Sequence, residues 1–231
     1  MKEKFFRQVL TNVIIAVVVL GVFGLTYFTV DTQARGNPDG AISRGSDSAK
    51  VSLMFNVYSG IEYLDDVLKV LDANKISATF FVSGSWVSGN EESLQRIAQY
   101  GHELGNGGYF RQDHSQLSAQ RNREEISTTH QLVSALLNIQ MTNFSPPFGV
   151  YNKYTISEAT NLGYKTIMWT TDTQDWREQN GDIIFRRATE RVKGGDFILM
   201  QPTKSTVQVL QRIVDAIRGK GFSIAPIREV I

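Results

Sequence analysis

Residues 51–83 read VSLMFNVYSGIEYLDDVLKVLDANKISATFFVS, two β-rich runs on either side of an amphipathic segment. Between the runs, Leu64, Val67, Leu68 and Leu71 recur at i, i+3, i+4 and i+7, which makes one apolar stripe on a helix. The runs themselves, 51–57 and 78–83, are short, apolar and rich in Val and Phe. Strand, helix and strand in that order predict a parallel pair joined by a crossover helix.

The alternation continues to the C-terminus. Further strands are expected at 164–170, 197–201 and 222–226, with weaker segments near Leu104 and Phe144. Leu210, Ile213, Val214 and Ile217 repeat the helical stripe. Ile126, His130, Val133 and Leu137 mark another helix, from about Ser118 to Asn138, with Asn138 placed to stop it. That stripe makes His130 a helix-packing residue rather than a ligand. About seven strands fit either a distorted barrel or an open doubly wound sheet, and periodicity does not choose between them.

The chain has 231 residues, of which roughly 180 remain after an apolar leader and a polar linker, enough for one domain with a sizeable core. A hydrophobic content of 42%, a charged content of 20% and a net charge of +1 give no electrostatic footprint for nucleic acid, so that partner class is excluded. With no cysteine, a disulfide framework, a thiolate metal site and a cysteine nucleophile are all ruled out.

Lys2, Lys4 and Arg7 precede residues 13–30, which carry no charge and are long enough to cross a bilayer core. A cleaved signal peptide fits less well, because the apolar run is long and the small-residue site at Thr32 and Ala34 is poor. The positive-inside rule then predicts a cytoplasmic N-terminus (1–8), a transmembrane anchor (9–30) and an extracytoplasmic domain (51–231). Residues 31–50, polar and rich in Gly and Ser, are expected to form a flexible tether spanning about 25 Å.

A series of local motifs runs through the domain in order. They are Met54-Phe55-Asn56-Val57-Tyr58; Ala78-Thr79-Phe80-Phe81-Val82 with Gly84; and Gly101-His102-Glu103-Leu104-Gly105-Asn106 with Tyr109. Then come Phe144-Ser145-Pro146-Pro147-Phe148-Gly149 with Tyr151-Asn152, Asp172-Thr173-Gln174-Asp175-Trp176, and Phe197-Ile198-Leu199-Met200-Gln201-Pro202. None is specific alone, but in this order and spacing the chain resembles the polysaccharide deacetylases, the NodB homology domain of carbohydrate esterase family 4. The resemblance implies an α/β fold, a distorted (β/α) barrel, preceded here by one transmembrane helix.

Removing an acetyl group from an N-acetyl sugar requires an activated water, a polarised carbonyl and an acid for the departing amine. The resemblance implies a divalent metal held by one Asp and two His, a second Asp as base and a His as acid. At those positions this chain departs from the pattern. Asn56 stands in place of the base, and as an amide it accepts no proton at neutral pH. Val57, Gly107 and Arg111 stand in place of the three metal ligands, Gln201 in place of the acid, and Tyr58 where the family's Thr-Phe-Asp-Asp-Gly motif ends in glycine. Ser145 replaces an arginine that would orient the base, while Asp175-Trp176 stands intact. No catalytic residue, metal ligand or cofactor is therefore expected.

Two substitute sites are conceivable from the residues that remain. His102, His114 and His130 lie 12 and 16 residues apart, which matches no common zinc spacing, and His102 falls where the family carries a non-ligand His. Asp113 and His114, with Glu103 or Asp172, would have to supply any substitute site for a divalent metal such as Zn. A Ser115–His114 esterase lacks the Gly-x-Ser-x-Gly elbow. The groove residues Tyr109, Pro147, Phe148, Tyr151, Asp175 and Trp176 remain, and aromatic faces beside polar groups suit sugar binding. The favoured reading is an inactive, membrane-anchored protein that binds peptidoglycan, another N-acetyl-sugar polymer or an envelope protein. The alternative is a hydrolase acting on cell-wall polysaccharide through a relocated metal site.

Overall fold

The computed structural model describes residues 40–231. The anchor expected at 9–30 lies outside the described residues. Among those described, no helix is long and apolar enough to cross a membrane.

The expected unit at the start is present. Strand β1 (Lys50–Val57) is followed by helix α1 (Leu64–Ala73) and strand β2 (Thr79–Val82). A short helix α2 (Gly84–Val87) and helix α3 (Glu91–Gln99) lead to β3 (Glu103–Asn106). Helix α4 (Ala119–Leu137) leads to β4 (Asn143–Phe144), and α5 (Lys153–Asn161) to β5 (Lys165–Thr166). After β6 (Thr171–Asp172) come α6 (Gly181–Thr189), β7 (Phe197–Met200), α7 (Lys204–Gly219) and β8 (Ser223–Ile224).

All strand pairs are parallel, in the order β5-β4-β3-β2-β1-β7-β6, with β8 beside the start of β1. The run expected as one strand at 164–170 is divided: β5 pairs with β4, and β6 pairs with β7 at the far end of the order. Residues 167–170 join the two edges, so the sheet is curled as a distorted (β/α) barrel requires.

Alternation along β1 explains the two cores. Val51, Leu53, Phe55 and Val57 face the helices, where they meet Leu64, Leu68, Leu210 and Ile213. Met54 faces the interior and packs with Phe81, Trp169, Phe197 and Leu199. The stripe on α1 is buried as its spacing predicts, and α7 buries Val209, Leu210, Ile213, Val214 and Ile217. Asn138 ends α4 in the left-handed conformation, φ 55°. His130 bonds to Tyr164 and, at 2.9 Å, to Gln140, in keeping with a packing role.

The ordered unit begins earlier than the boundary expected at 51. Residues 40–49, assigned to the tether, are packed on the barrel. Ile42 pairs with Ile167 and Arg44 with Asp196, while the Gly45 N–H donates to the Gly195 carbonyl at 2.8 Å. Main-chain pairing of this kind needs no apolar side chains, so the Gly and Ser content concealed it.

Candidate functional site

Because every strand is parallel, the segments that follow β1, β2, β3, β4, β6 and β7 emerge at one edge, the usual place for a site in such folds. Register fixes the alignment: Val57 lies opposite Val82, Val82 opposite Asn106, and Asn106 opposite Phe144.

At this edge Tyr58 folds over Gly107. A Cβ on Gly107 would lie 2.8 Å from Cε1 of Tyr58 and 3.1 Å from the Val82 carbonyl oxygen, so only glycine fits beneath the ring. The Tyr58 hydroxyl is buried without a partner among the described residues, and burial pushes its phenol up, with Arg111 pulling the other way. The Arg111 guanidinium lies 5.5 Å from the Tyr58 ring centroid and 4.7 Å from that of Phe148. Phe148 holds its place in the left-handed region, φ 60°, which is strained for an aromatic residue.

Below this stack Asn56 is buried, and its Oδ1 finds no partner among the described residues; the same holds for Ser145 Oγ. Val57 is 2% exposed and belongs to the hydrocarbon layer with Phe55, Val82 and Trp86. A divalent cation needs about three lone-pair donors. A buried valine, a glycine covered by an aromatic ring and an arginine do not fit one.

Asp175 is buried and structural in its contacts. Its Oδ2 accepts from the Gln201 backbone N–H at 2.8 Å and from the Thr206 hydroxyl at 2.5 Å, which ties the β6–α6 loop to the first turn of α7. Burial pushes its carboxyl up to about 6, against those hydrogen bonds. Burial also raises the carboxyl of Asp172, whose Oδ1 accepts from the Gln174 N–H. Gln201 is half-buried at the start of the β7–α7 loop. Trp176 stands out at 54% exposure with the Arg177 guanidinium 5.4 Å from its ring.

The loop after β3 is held from behind. Glu125 of α4 accepts from the Tyr109 and Phe110 N–H groups at 2.9 and 2.6 Å through one oxygen and pairs with Arg121 through the other. Tyr109 lies against Gly84, where a Cβ would come within 2.3 Å of its ring. Pro147 is buried, and half-buried Tyr151 precedes Asn152, whose side chain caps α5.

The residues considered for a substitute metal site do not converge. His102 and Glu103 stand at the amino end of β3. His102 Nδ1 accepts from the Ala78 N–H, and burial pushes the ring down to about 4. Glu103 accepts from Thr79, Asn143 and the Arg228 N–H. Asp113 and His114 lie beyond the other end of the strand. Asp113 turns to Ser115, and His114 is buried against Asn122, its ring pushed down by burial. Among the described residues no group of three or more His, Asp or Glu is arranged to hold a metal ion.

Tyr58, Glu125 and Thr206 were not singled out by the sequence. Tyr58 carried a signal, since it replaces a family glycine in the same chain that replaces a family histidine by Gly107. Glu125 and Thr206 carry none, being polar residues on helices whose sequence signal lies in their apolar positions.

Residues 43–167 match the sequence profile described as polysaccharide deacetylase. The uncharacterized protein YlxY of Bacillus subtilis is 32% identical over 197 residues, covering 85% of this chain and 59% of that protein. The peptidoglycan-N-acetylglucosamine deacetylase PgdA of Listeria monocytogenes is 27% identical over 193 residues, covering 82% of this chain and 40% of its own length. The chain thus spans about half the length of these curated relatives. Among solved structures, a CE4 family pseudoenzyme from Bacillus anthracis superposes with a TM-score of 0.81 at 30% identity, covering 84% of this chain and 69% of that one. A mutant of that protein is described as having restored enzymatic activity.

Proposed function

The chain belongs to the polysaccharide deacetylase family, and from that premise we propose that it is a member without deacetylase chemistry, a binding protein of the bacterial envelope. In this reading the N-terminal apolar segment anchors it in the membrane, the domain lies outside, and the barrel mouth takes a glycan or a protein partner.

The observation that carries the reading is the seat of Tyr58 over Gly107, with the Arg111 guanidinium against the Tyr58 and Phe148 rings. It fills the place that the family resemblance assigns to the metal with two rings and a permanent positive charge. A general acid or base contributes about 10²–10⁴ in rate. With Asn56 and Gln201 unable to serve as base or acid, the loss of the metal has no evident replacement. Likeness to a CE4 pseudoenzyme supports the inactive reading, and the peptidoglycan substrate of PgdA supports a glycan partner. The exposed rings of Phe148 and Trp176 suit stacking on a sugar.

The test is elemental analysis of the full chain after incubation with Zn, Mn, Fe, Co and Ni and extensive washing, together with acetate release from N-acetylated glycan. Substoichiometric metal, no acetate and glycan affinity unaffected by chelator are expected. About one ion held per chain, or metal-dependent acetate release, overturns the reading.

A further inference from the structure

We infer that the barrel mouth is a receptor for an oxyanion carried on a glycan, with Arg111 as the residue that binds it. The inference rests on the glycan-binding reading above and names the chemistry of the ligand.

Arg111 is exposed, yet its place is fixed by the Tyr58 and Phe148 rings. Among the described residues, no carboxylate pairs with it and no acceptor takes its N–H groups. Arg96, Arg123 and Arg212, on helix surfaces, instead meet carboxylates at 2.9, 2.8 and 2.9 Å. Two carboxylates near the mouth are engaged elsewhere. Asp175 is buried with its oxygen engaged by Gln201 and Thr206, and Asp113 faces Ser115. A planar fork of donors, held still and left without an acceptor, matches a carboxylate or a phosphate, and prior immobilisation lowers the entropy cost of binding.

The surroundings favour a sugar as the bearer. Phe110, Phe148 and Trp176, from three different loops of the same edge, are 48%, 55% and 54% exposed. Sugar faces stack on such rings, whereas a small inorganic anion gains nothing from them.

The test is calorimetric titration of the full chain, kept in mild detergent, with three probes. These are a neutral N-acetylglucosamine oligomer, an N-acetylglucosamine–N-acetylmuramic acid oligomer with free lactyl carboxylates, and an N-acetylglucosamine oligomer carrying glycerol-phosphate substituents. At least one acidic probe is expected to bind about tenfold more tightly than the neutral one, a preference that weakens as salt screens the exposed charge. Arg111→Met should lower affinity for the preferred acidic probe about tenfold more than for the neutral oligomer, so that the preference disappears, and Arg111→Lys should keep part of it. The acidic probe that responds identifies the source as carboxylate or phosphodiester. Equal affinity for neutral and acidic probes, or a preference that survives in Arg111→Met, overturns the inference but leaves the glycan-binding reading standing. Failure of every probe to bind the wild-type chain overturns both.

Discussion

The ring of Tyr58 occupies the space into which any side chain at position 107 would project, since a Cβ built on Gly107 lies 2.8 Å from Tyr58 Cε1. The two residues follow different strands, β1 and β3, with β2 between them. In the family pattern the first of these positions is a glycine and the second a histidine, so bulk has moved from one loop to the other. A paired exchange of this kind keeps the edge packed after the ligand is lost.

Gly107→His is therefore expected to destabilise the protein by about 1–3 kcal/mol, the usual cost of overpacking. Adding Tyr58→Gly should recover about 1 kcal/mol or more, because contacting residues couple. Urea denaturation of both single variants and the double variant measures this. Additive losses would show that the ring and the 107 position do not compete.

Phe148 trades backbone strain for its contact with Arg111. At φ 60° an L-residue costs about 1–2 kcal/mol relative to its relaxed conformation, while an exposed cation–π contact returns about 0.5–1 kcal/mol. Phe148→Ala keeps the strain and loses the ring; Phe148→Gly loses both. The alanine variant should consequently be less stable than the glycine variant by about 1 kcal/mol in thermal or urea unfolding. Equal stabilities would mean that the turn relaxes when the ring is removed.

The parts legible in the sequence are those whose physics is local. The period of β1 and the stripes on α1 and α7 follow from side-chain patterns, and Asn138 at the end of α4 follows from its tolerance of positive φ. The missing donors at Val57, Gly107 and Arg111 could be read the same way, residue by residue. What could not be read depends on partners distant in sequence. The division of 164–170 reflects pairing with β4 on one side and β7 on the other. Residues 42–44 join the barrel through main-chain groups that no composition reveals. The seat of Tyr58 over Gly107 required the loops after β1 and β3 to be brought together.

Two buried groups set opposing pH dependences. Asp175, raised from 3.8 to about 6 by burial, binds its proton more tightly in the folded state. Its stabilising contribution is complete below its ordinary value and is lost as pH rises toward about 6. His102, lowered from 6.5 to about 4, binds its proton more tightly in the unfolded state, so its contribution is lost as pH falls through the same range. Each is worth roughly 3 kcal/mol at most, at about 1.4 kcal/mol per pH unit. Between pH about 4 and 6 these two contributions should largely offset each other. Asp175→Asn, whose amide oxygen can still accept from Gln201 and Thr206, should become more stable with rising pH across that window. A variant whose melting temperature tracks the wild type at every pH would place Asp175 outside this balance.

Restoring donors alone should not restore a metal. Asn56→Asp, Val57→Asp, Gly107→His and Arg111→His together return the donor types that the family resemblance implies, and about three ligands suffice to hold zinc. Yet Tyr58 still covers position 107, and the new imidazole would have to displace either that ring or the Val82 carbonyl at 3.1 Å. The fourfold variant is expected to retain substoichiometric zinc after washing. The same set with Tyr58→Gly should retain about one ion per chain, read by elemental analysis. Equal retention by the two sets would show that the ring yields readily and that Tyr58 is not the plug. If neither set retains metal, the strand ends themselves have moved out of ligand geometry, because the fivefold variant no longer lacks either donors or space.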